Sequence, residues 1–191
     1  MMLTRRTFMT GATCLAALSP AAAQTVALVQ PGEDGLYHFD WYLESFLDLA
    51  EDVETARKNG KRLAVIWSQR GCIYCKRMAQ EHFADPALVA YIRANFEVLH
   101  LDLFGAKEVT DFDGARLGEK ALAQRYGVRL TPTVQFFPES ADGLGKRDPA
   151  KREAARMPGL LEPREFLGMF RYVREKGYET SGFNEWLKRQ S

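Results

Sequence analysis

Cysteine and net charge are both scarce in this chain, and each scarcity excludes a class of function. The 191 residues include three cysteines and three histidines, and the formal net charge is +1. A secreted chain that is stapled by disulfides carries several dispersed cysteine pairs, which three cysteines cannot supply. A near-neutral charge gives no case for binding nucleic acid or an anionic membrane surface.

The N-terminus has the pattern of an export signal. Arg5 and Arg6 are followed by a mildly apolar stretch at residues 11–18 and by small residues that end at Ala23. This pattern predicts cleavage after Ala23, and the stretch is shorter than the roughly 20 apolar residues that a membrane-spanning helix needs. Because Thr-Phe follows the arginine pair, residues 1–23 resemble a twin-arginine signal. An ordinary secretory signal is the alternative, and either one predicts export to the bacterial periplasm.

The predicted mature chain, residues 24–191, is one domain. Removal of 23 residues from 191 leaves 168, which is enough for a domain with a substantial core. Loss of the two signal arginines changes the formal net charge from +1 to −1. Cys14 is lost as well, so Cys72 and Cys75 are the only cysteines of the mature chain.

The two remaining cysteines form a Cys-Ile-Tyr-Cys motif between a strand-like run at residues 63–67 and a helix-like run at 75–83. Thiols at this spacing and at a strand-to-helix turn suit a reversible disulfide. The first thiol, Cys72, lies near the helix N-terminus, where unpaired N–H groups and the helix dipole favour a thiolate. The second, Cys75, can attack a mixed disulfide formed at the first. Three flanking basic residues would add a small, screened positive potential: Arg70, Lys76 and Arg77.

Zinc binding is one alternative for this cysteine pair. A closed structural zinc site needs four ligands, usually with a second Cys/His pair at similar spacing. The other candidates are His38, His82 and His100, and no two of them stand at short spacing. Two inert buried thiols are a further alternative. The single close pair favours a redox-active disulfide over both, with no metal and no other cofactor.

Strand-like and helix-like segments alternate along the mature chain. After a strand-like run at 26–29, Asp40 is expected to cap a helix at 41–58 that stops at Asn59-Gly60. The remaining expected strands lie at 63–67, 96–103 and 133–137, and the remaining helices at 75–83, 86–94, 119–126 and 163–176. This alternation predicts an α/β or mixed α+β fold with parallel strand pairs.

Thr131-Pro132-Thr133 stands directly before the last predicted strand. Proline is permitted at the start of a strand, and prolines in tight functional turns are often cis. An ordinary trans proline is the alternative for Pro132 taken alone. The upstream Cys-x-x-Cys motif shifts the balance towards a functional turn.

Together, these motifs resemble the thioredoxin superfamily, and SoxW-type periplasmic thioredoxins in particular. The resemblance extends over residues 45–49, 71–75, 109–114, 126–133, 157–159 and the tail at 178–187. It implies a thioredoxin fold, which is α/β with a mixed central sheet flanked by helices in a single domain. It also implies a reversible Cys72–Cys75 disulfide with a cis Pro132 beside it.

The same resemblance implies a function: a monomeric thiol-disulfide oxidoreductase that reduces disulfides of periplasmic proteins of sulfur oxidation or cytochrome c maturation. Electrons would arrive from a membrane thiol transporter of the CcdA or DsbD type. A disulfide oxidase or isomerase is an alternative, as is a non-enzymatic binding module with a static disulfide. The expected site comprises catalytic Cys72, Cys75 and Pro132, with Ile73, Tyr74 and Thr131 contacting the substrate.

Two departures from ordinary thioredoxins bear on the mechanism. Those proteins carry Trp before the first cysteine and a buried Asp six residues before it, where this chain has Gly71 and Ile66. Because that Asp is thought to help the second thiol lose its proton, Cys75 must rely on water or on another group here. Glu81 and His82 are the nearest candidates in the following helix, although ordinary solvent-exposed helix positions are the simpler interpretation of both.

Overall fold

The computed structural model of this protein describes residues 29–190. The predicted export signal lies outside the described residues, as does the strand-like run at 26–29 apart from Val29, which is irregular. Within residues 29–190, no helix combines the length and the apolar character needed to cross a bilayer.

Six α-helices and six strands make up the described chain. The helices are α1 (Leu49–Lys58), α2 (Ile73–Arg77), α3 (Pro86–Asn95), α4 (Glu119–Arg125), α5 (Pro163–Arg174) and α6 (Phe183–Arg189). The strands are β1 (Arg62–Ser68), β2 (Phe96–Asp102), β3 (Glu108–Thr110), β4 (Arg116–Gly118), β5 (Thr133–Phe136) and β6 (Ala155–Pro158). A π-helical turn, Met78–His82, extends α2.

The central sheet has four strands in the order β2-β1-β5-β6. Strand β1 pairs in parallel with β2 and antiparallel with β5, and β6 pairs antiparallel with β5. Helices cover both faces of this mixed sheet, so the predicted thioredoxin fold in a single domain is confirmed. A separate two-stranded hairpin, β3-β4, lies between β2 and α4.

Strand β1 is the centre of the molecule, and every one of its residues is buried. Ala64 and Ile66 face a core cluster shared with α3 and α5. Leu63, Val65 and Trp67 face a second cluster shared with α1 and α4. A strand that is covered on both faces needs a continuous apolar sequence, which explains the unbroken run at residues 63–67.

The first helix begins later than the sequence pattern predicts. Its N-cap is Asp48, not Asp40: the Asp48 side chain accepts hydrogen bonds from two backbone N–H groups of the first turn. Leu47 directly before it has φ +62°, which a continuous helix does not permit. Leu43 and Leu47, which were expected on the apolar face of this helix, pack on the core from irregular chain. Phe46, expected on the same face, is 99% exposed.

Two further elements were missed by the sequence analysis: the hairpin β3-β4 and the edge strand β6. Asp111, directly after β3, is 1% exposed and stabilises the turn between β3 and β4. Its carboxylate accepts hydrogen bonds from the Tyr126 hydroxyl and the Arg152 guanidinium, both at 2.7 Å. Arg152 is also buried, so this cluster connects the hairpin to the long loop before β6.

Candidate active site

The cysteine motif occupies the turn between β1 and α2. Gly71 has φ +74°, a conformation that favours glycine, and a Cβ atom built there would meet no other atom within 4 Å. The backbone conformation, not crowding, therefore explains glycine at the position where ordinary thioredoxins carry Trp. Cys72 follows with extended geometry and caps α2: its Sγ accepts a hydrogen bond from the Cys75 N–H at 3.0 Å.

Cys72 and Cys75 form a disulfide, with their Cα atoms 5.2 Å apart. The two sulfurs differ in accessibility, because Cys72 is partly exposed at the surface whereas Cys75 is only 2% exposed. The predicted asymmetry, with the first thiol outside and the second one turn inside, is confirmed. An incoming thiol or disulfide can reach Cys72 first.

The loop before β5 lies directly against the disulfide. The Thr131–Pro132 peptide bond is cis, as the resemblance to thioredoxins implies, and the Thr131 carbonyl oxygen lies 3.5 Å from Cys72 Sγ. Pro132 is buried, and its carbonyl accepts a hydrogen bond from the Gly159 N–H at 2.8 Å. Thr131 and Pro132 are therefore brought to the cysteine pair although 59 residues separate Thr131 from Cys72.

Three exposed apolar side chains, called the apolar rim below, lie on the two loops that meet at the Cys72 sulfur: Ile73, Tyr74 and Leu130. Ile73 is 72% exposed and Tyr74 is 53% exposed, so neither side chain is used for internal packing. Leu130, at 48% exposed, precedes Thr131 in the opposite loop, and the sequence analysis missed it. Its place beside the Thr-Pro turn was the signal that could have identified it. Large apolar side chains that remain in solvent at one place mark a contact surface.

The positive potential expected around the pair is partly neutralised. Arg77 donates a hydrogen bond to Glu81 at 2.7 Å and lies 3.3 Å from Glu162. The hydrogen bond to Glu81, reinforced by both negative charges, raises the pKa of Arg77. Its charge is therefore balanced locally, whereas Lys76, in the last turn of α2, is exposed.

The position of the missing buried acid is wholly apolar. Ile66 is inaccessible to solvent and pairs with Val134 of β5, so β1 brings no ionisable group to Cys75 there. Glu81 is exposed and bound to Arg77, as expected for a surface position. His82 is buried, which the surface interpretation did not predict. Its Nε2 lies 2.8 Å from the Leu161 carbonyl, and within the described residues its Nδ1 has no hydrogen-bond partner.

The geometry defines a class of protein: a thioredoxin fold whose exposed helix-capping cysteine is paired with a buried one. Such a pair can exchange two electrons with an external disulfide. Among residues 29–190, no group of three or more His, Cys, Asp or Glu side chains is arranged to hold a metal ion.

Comparison with known proteins gives the family. The model of the thioredoxin-like domain family matches residues 49–174, well over half of the chain, and the chain therefore belongs to that family. No curated protein sequence gives a significant match.

Two solved structures support the fold. A thioredoxin from Thermus thermophilus is 26% identical, with a TM-score of 0.50 over 72% of this chain and 88% of its own. A thioredoxin-fold protein from Helicobacter pylori is 21% identical, with a TM-score of 0.52 over 69% of this chain and 80% of its own.

Proposed function

We propose that this protein is exported, is cleaved after Ala23, and acts in the periplasm as a monomeric reductase of protein disulfides. One observation carries the proposal: Cys72 is accessible and caps a helix, while its disulfide partner Cys75 is shielded beneath it. That is the asymmetry that a nucleophilic thiol and a resolving thiol require.

The reaction is two successive thiol–disulfide exchanges. In the reduced protein, the Cys72 thiolate attacks one sulfur of a substrate disulfide, and a Cys72–substrate bond forms as the substrate S–S bond breaks. The leaving sulfur takes up a proton from solvent. Cys75 then loses its proton and attacks Cys72 Sγ, which forms the Cys72–Cys75 disulfide and releases the second substrate thiol. Two electrons pass from the protein to the substrate.

Backbone groups stabilise the attacking sulfur. The Cys75 N–H donates to Cys72 Sγ at 3.0 Å, and a hydrogen bond to an ionised sulfur is stronger than one to a neutral sulfur. Thr131 offers its backbone to an extended substrate segment, as in strand addition. The apolar rim of Ile73, Tyr74 and Leu130 supplies the remaining contact surface.

The electron donor and the substrates are inferred from the resemblance to SoxW-type thioredoxins. We assign a membrane thiol transporter of the CcdA or DsbD type as the donor. The substrates are disulfide-bearing periplasmic proteins of sulfur oxidation or cytochrome c maturation. A near-neutral surface charge fits protein partners better than nucleic acid.

Trapping tests the assignment of roles. In a Cys75→Ser variant the resolving thiol is missing, so periplasmic substrates should accumulate as mixed disulfides with Cys72. The matched Cys72→Ser variant should trap none. Wild-type protein should also catalyse the reduction of insulin by dithiothreitol. An absence of both trapping and turnover would identify a static disulfide and a binding module instead.

The redox potential tests the direction of electron flow. Equilibration with glutathione should give a value nearer that of thioredoxin, about −270 mV, than that of the oxidant DsbA, about −120 mV. A value near the second would make the protein an oxidase and would refute the reductase assignment.

A further inference from the structure

A short segment that precedes the family-matched region, residues 29–37, lies against the β1–α2 turn. The Arg70 guanidinium donates hydrogen bonds to the backbone carbonyls of Glu33 and Asp34, at 3.0 and 3.1 Å. The Gln80 side chain donates to the Val29 carbonyl at 3.0 Å. These bonds fix the segment at two points beside the helix that begins with the cysteine motif.

The segment has a folded shape of its own. The Gly32 N–H donates to the Leu36 carbonyl at 2.8 Å, and Leu36 is 5% exposed. Gly35 has φ +80°, and a Cβ there would lie 2.8 Å from Cγ of Arg70. Glycine is therefore needed both for the turn and for close contact with the Arg70 stem. Residues 29–37, called the wall below, are therefore held in one defined conformation beside the β1–α2 turn.

Between this wall and the cysteine motif lies a pocket of about 290 Å³. The wall contributes Pro31, Gly35 and Tyr37, and the β1–α2 turn contributes Arg70, Gly71, Cys72, Ile73 and Lys76. Most of the exposed lining is apolar. Small-molecule sites usually occupy roughly 300–1,000 Å³, so this pocket has room for a side chain rather than for a large cofactor.

We propose that this pocket binds an apolar side chain of the substrate polypeptide, next to the cysteine that Cys72 attacks. The inference rests on the proposed function and names the class of substrate. In a mixed disulfide the substrate sulfur is bonded to Cys72 Sγ, and the Cα atoms of neighbouring residues along a chain are only about 3.8 Å apart. Because Cys72 itself lines the pocket, an adjacent substrate side chain is within reach of it.

The pocket is distinct from the Thr131 contact. The described lining includes no residue of the 130–132 loop, so a substrate can contact the Thr131 backbone and fill the pocket at the same time. The cationic groups of Arg70 and Lys76 at the pocket disfavour lysine or arginine as the bound side chain. Leucine, isoleucine, valine, methionine and phenylalanine remain as the side chains that the pocket selects.

The test uses two peptides that differ only in whether leucine or serine flanks a single cysteine, each as its mixed disulfide with glutathione. Reduced wild-type protein should react with the leucine peptide about tenfold faster in kcat/KM, since apolar pockets discriminate at about this level. Tyr37→Ala removes a side chain that lines the pocket, and Arg70→Met removes the two hydrogen bonds that hold the wall in place. Either variant should bring the leucine-to-serine ratio of kcat/KM close to one. Tyr91→Ala, a tyrosine on α3 outside the pocket lining, should keep it.

A small substrate, bis(hydroxyethyl) disulfide, reports the dithiol chemistry without the pocket. Its rate constant should be equal in wild type and Tyr91→Ala. For every variant the peptide rates are divided by its own rate with this disulfide, because loss of the Arg70 charge also acts on the Cys72 thiolate. If wild type reduces this disulfide and insulin but treats both peptides alike, the pocket inference fails and the proposed function stands. If wild type reduces neither bis(hydroxyethyl) disulfide nor insulin, both the pocket inference and the proposed function fail. A leucine preference unchanged in Tyr37→Ala and Arg70→Met would place selectivity elsewhere and overturn the inference. A leucine preference that increases when the protein is diluted would show that a second copy of this chain fills the pocket at higher concentration. That result would also overturn the inference.

Discussion

Asp52 provides a sharp test of the electrostatics of this fold. It lies in the first turn of α1, is 5% exposed, and accepts hydrogen bonds from the Ser45 hydroxyl at 2.7 and 2.8 Å. Burial raises the pKa of Asp52 from 3.8 to about 6, with help from the negative charges of Asp48 and Glu51, while the bond from Ser45 lowers it. The fold therefore favours the protonated carboxyl.

The sign of the effect follows from linkage. Since the folded pKa of Asp52 lies above the unfolded one, its stabilising contribution is complete below pH 3.8 and is lost as the pH rises to about 6. The difference corresponds to about 3 kcal/mol of unfolding free energy at pH 7.5. Asp52→Asn removes the titration and keeps a partner for Ser45, so the variant should be more stable than wild type at pH 7.5 by up to about 3 kcal/mol. The gain should disappear by pH 3.5.

Urea unfolding of the oxidised protein, followed by circular dichroism from pH 3.5 to 7.5, measures this difference. Glu44→Gln is the matched control, because it removes an exposed carboxylate from the same region and should change stability by less than about 0.5 kcal/mol. An Asp52→Asn effect that is the same at pH 3.5 and 7.5 would refute the raised pKa, whatever its size.

Three other predictions concern the disulfide and the core. In the reduced protein, iodoacetamide should label Cys72 before Cys75 at a pH well below that at which a free thiol reacts, and preferential labelling of Cys75 would reverse the assigned roles. Arg152→Met should lower the unfolding free energy by about 2 kcal/mol, because the buried Asp111 carboxylate loses one of its two cations and retains Arg125, whereas Arg189→Met at the exposed end of α6 should have little effect. Ile66→Asp should speed resolution of the mixed disulfide despite lower stability. The matched Ile66→Asn variant shares the burial cost but cannot accept the proton, so equal rates in the two would contradict this reasoning.

The sequence predicted those parts of the fold and site that depend on local signals. The apolar run of β1, the Asp-Pro start of α3 at residues 85–86 and the Cys-x-x-Cys turn each carry their information within a few residues. The asymmetry between Cys72 and Cys75 follows from helix geometry alone. The contact between Thr131 and Cys72 could be expected only through the family resemblance, because nothing local links residues so far apart.

The parts that were missed depend on tertiary packing. Leu43 and Leu47 contact the core from irregular chain, and their four-residue spacing imitates a helix face. Strands β3 and β4 have three residues each and β6 has four, so all three are too short for an alternating pattern to identify them. The bonds from Arg70 reach backbone carbonyls 36 and 37 residues away, and backbone acceptors leave no signature in a sequence.

That last feature has a consequence for engineering. Arg70 binds the backbone carbonyls of Glu33 and Asp34, so its two hydrogen bonds, called the clamp here, do not depend on the side chains at positions 31 and 37. Positions such as Pro31 and Tyr37 can therefore be randomised while the clamp, Gly35 and both cysteines stay fixed. A library built in this way would vary substrate choice on a constant redox centre, much as antibody loops vary recognition on a constant framework.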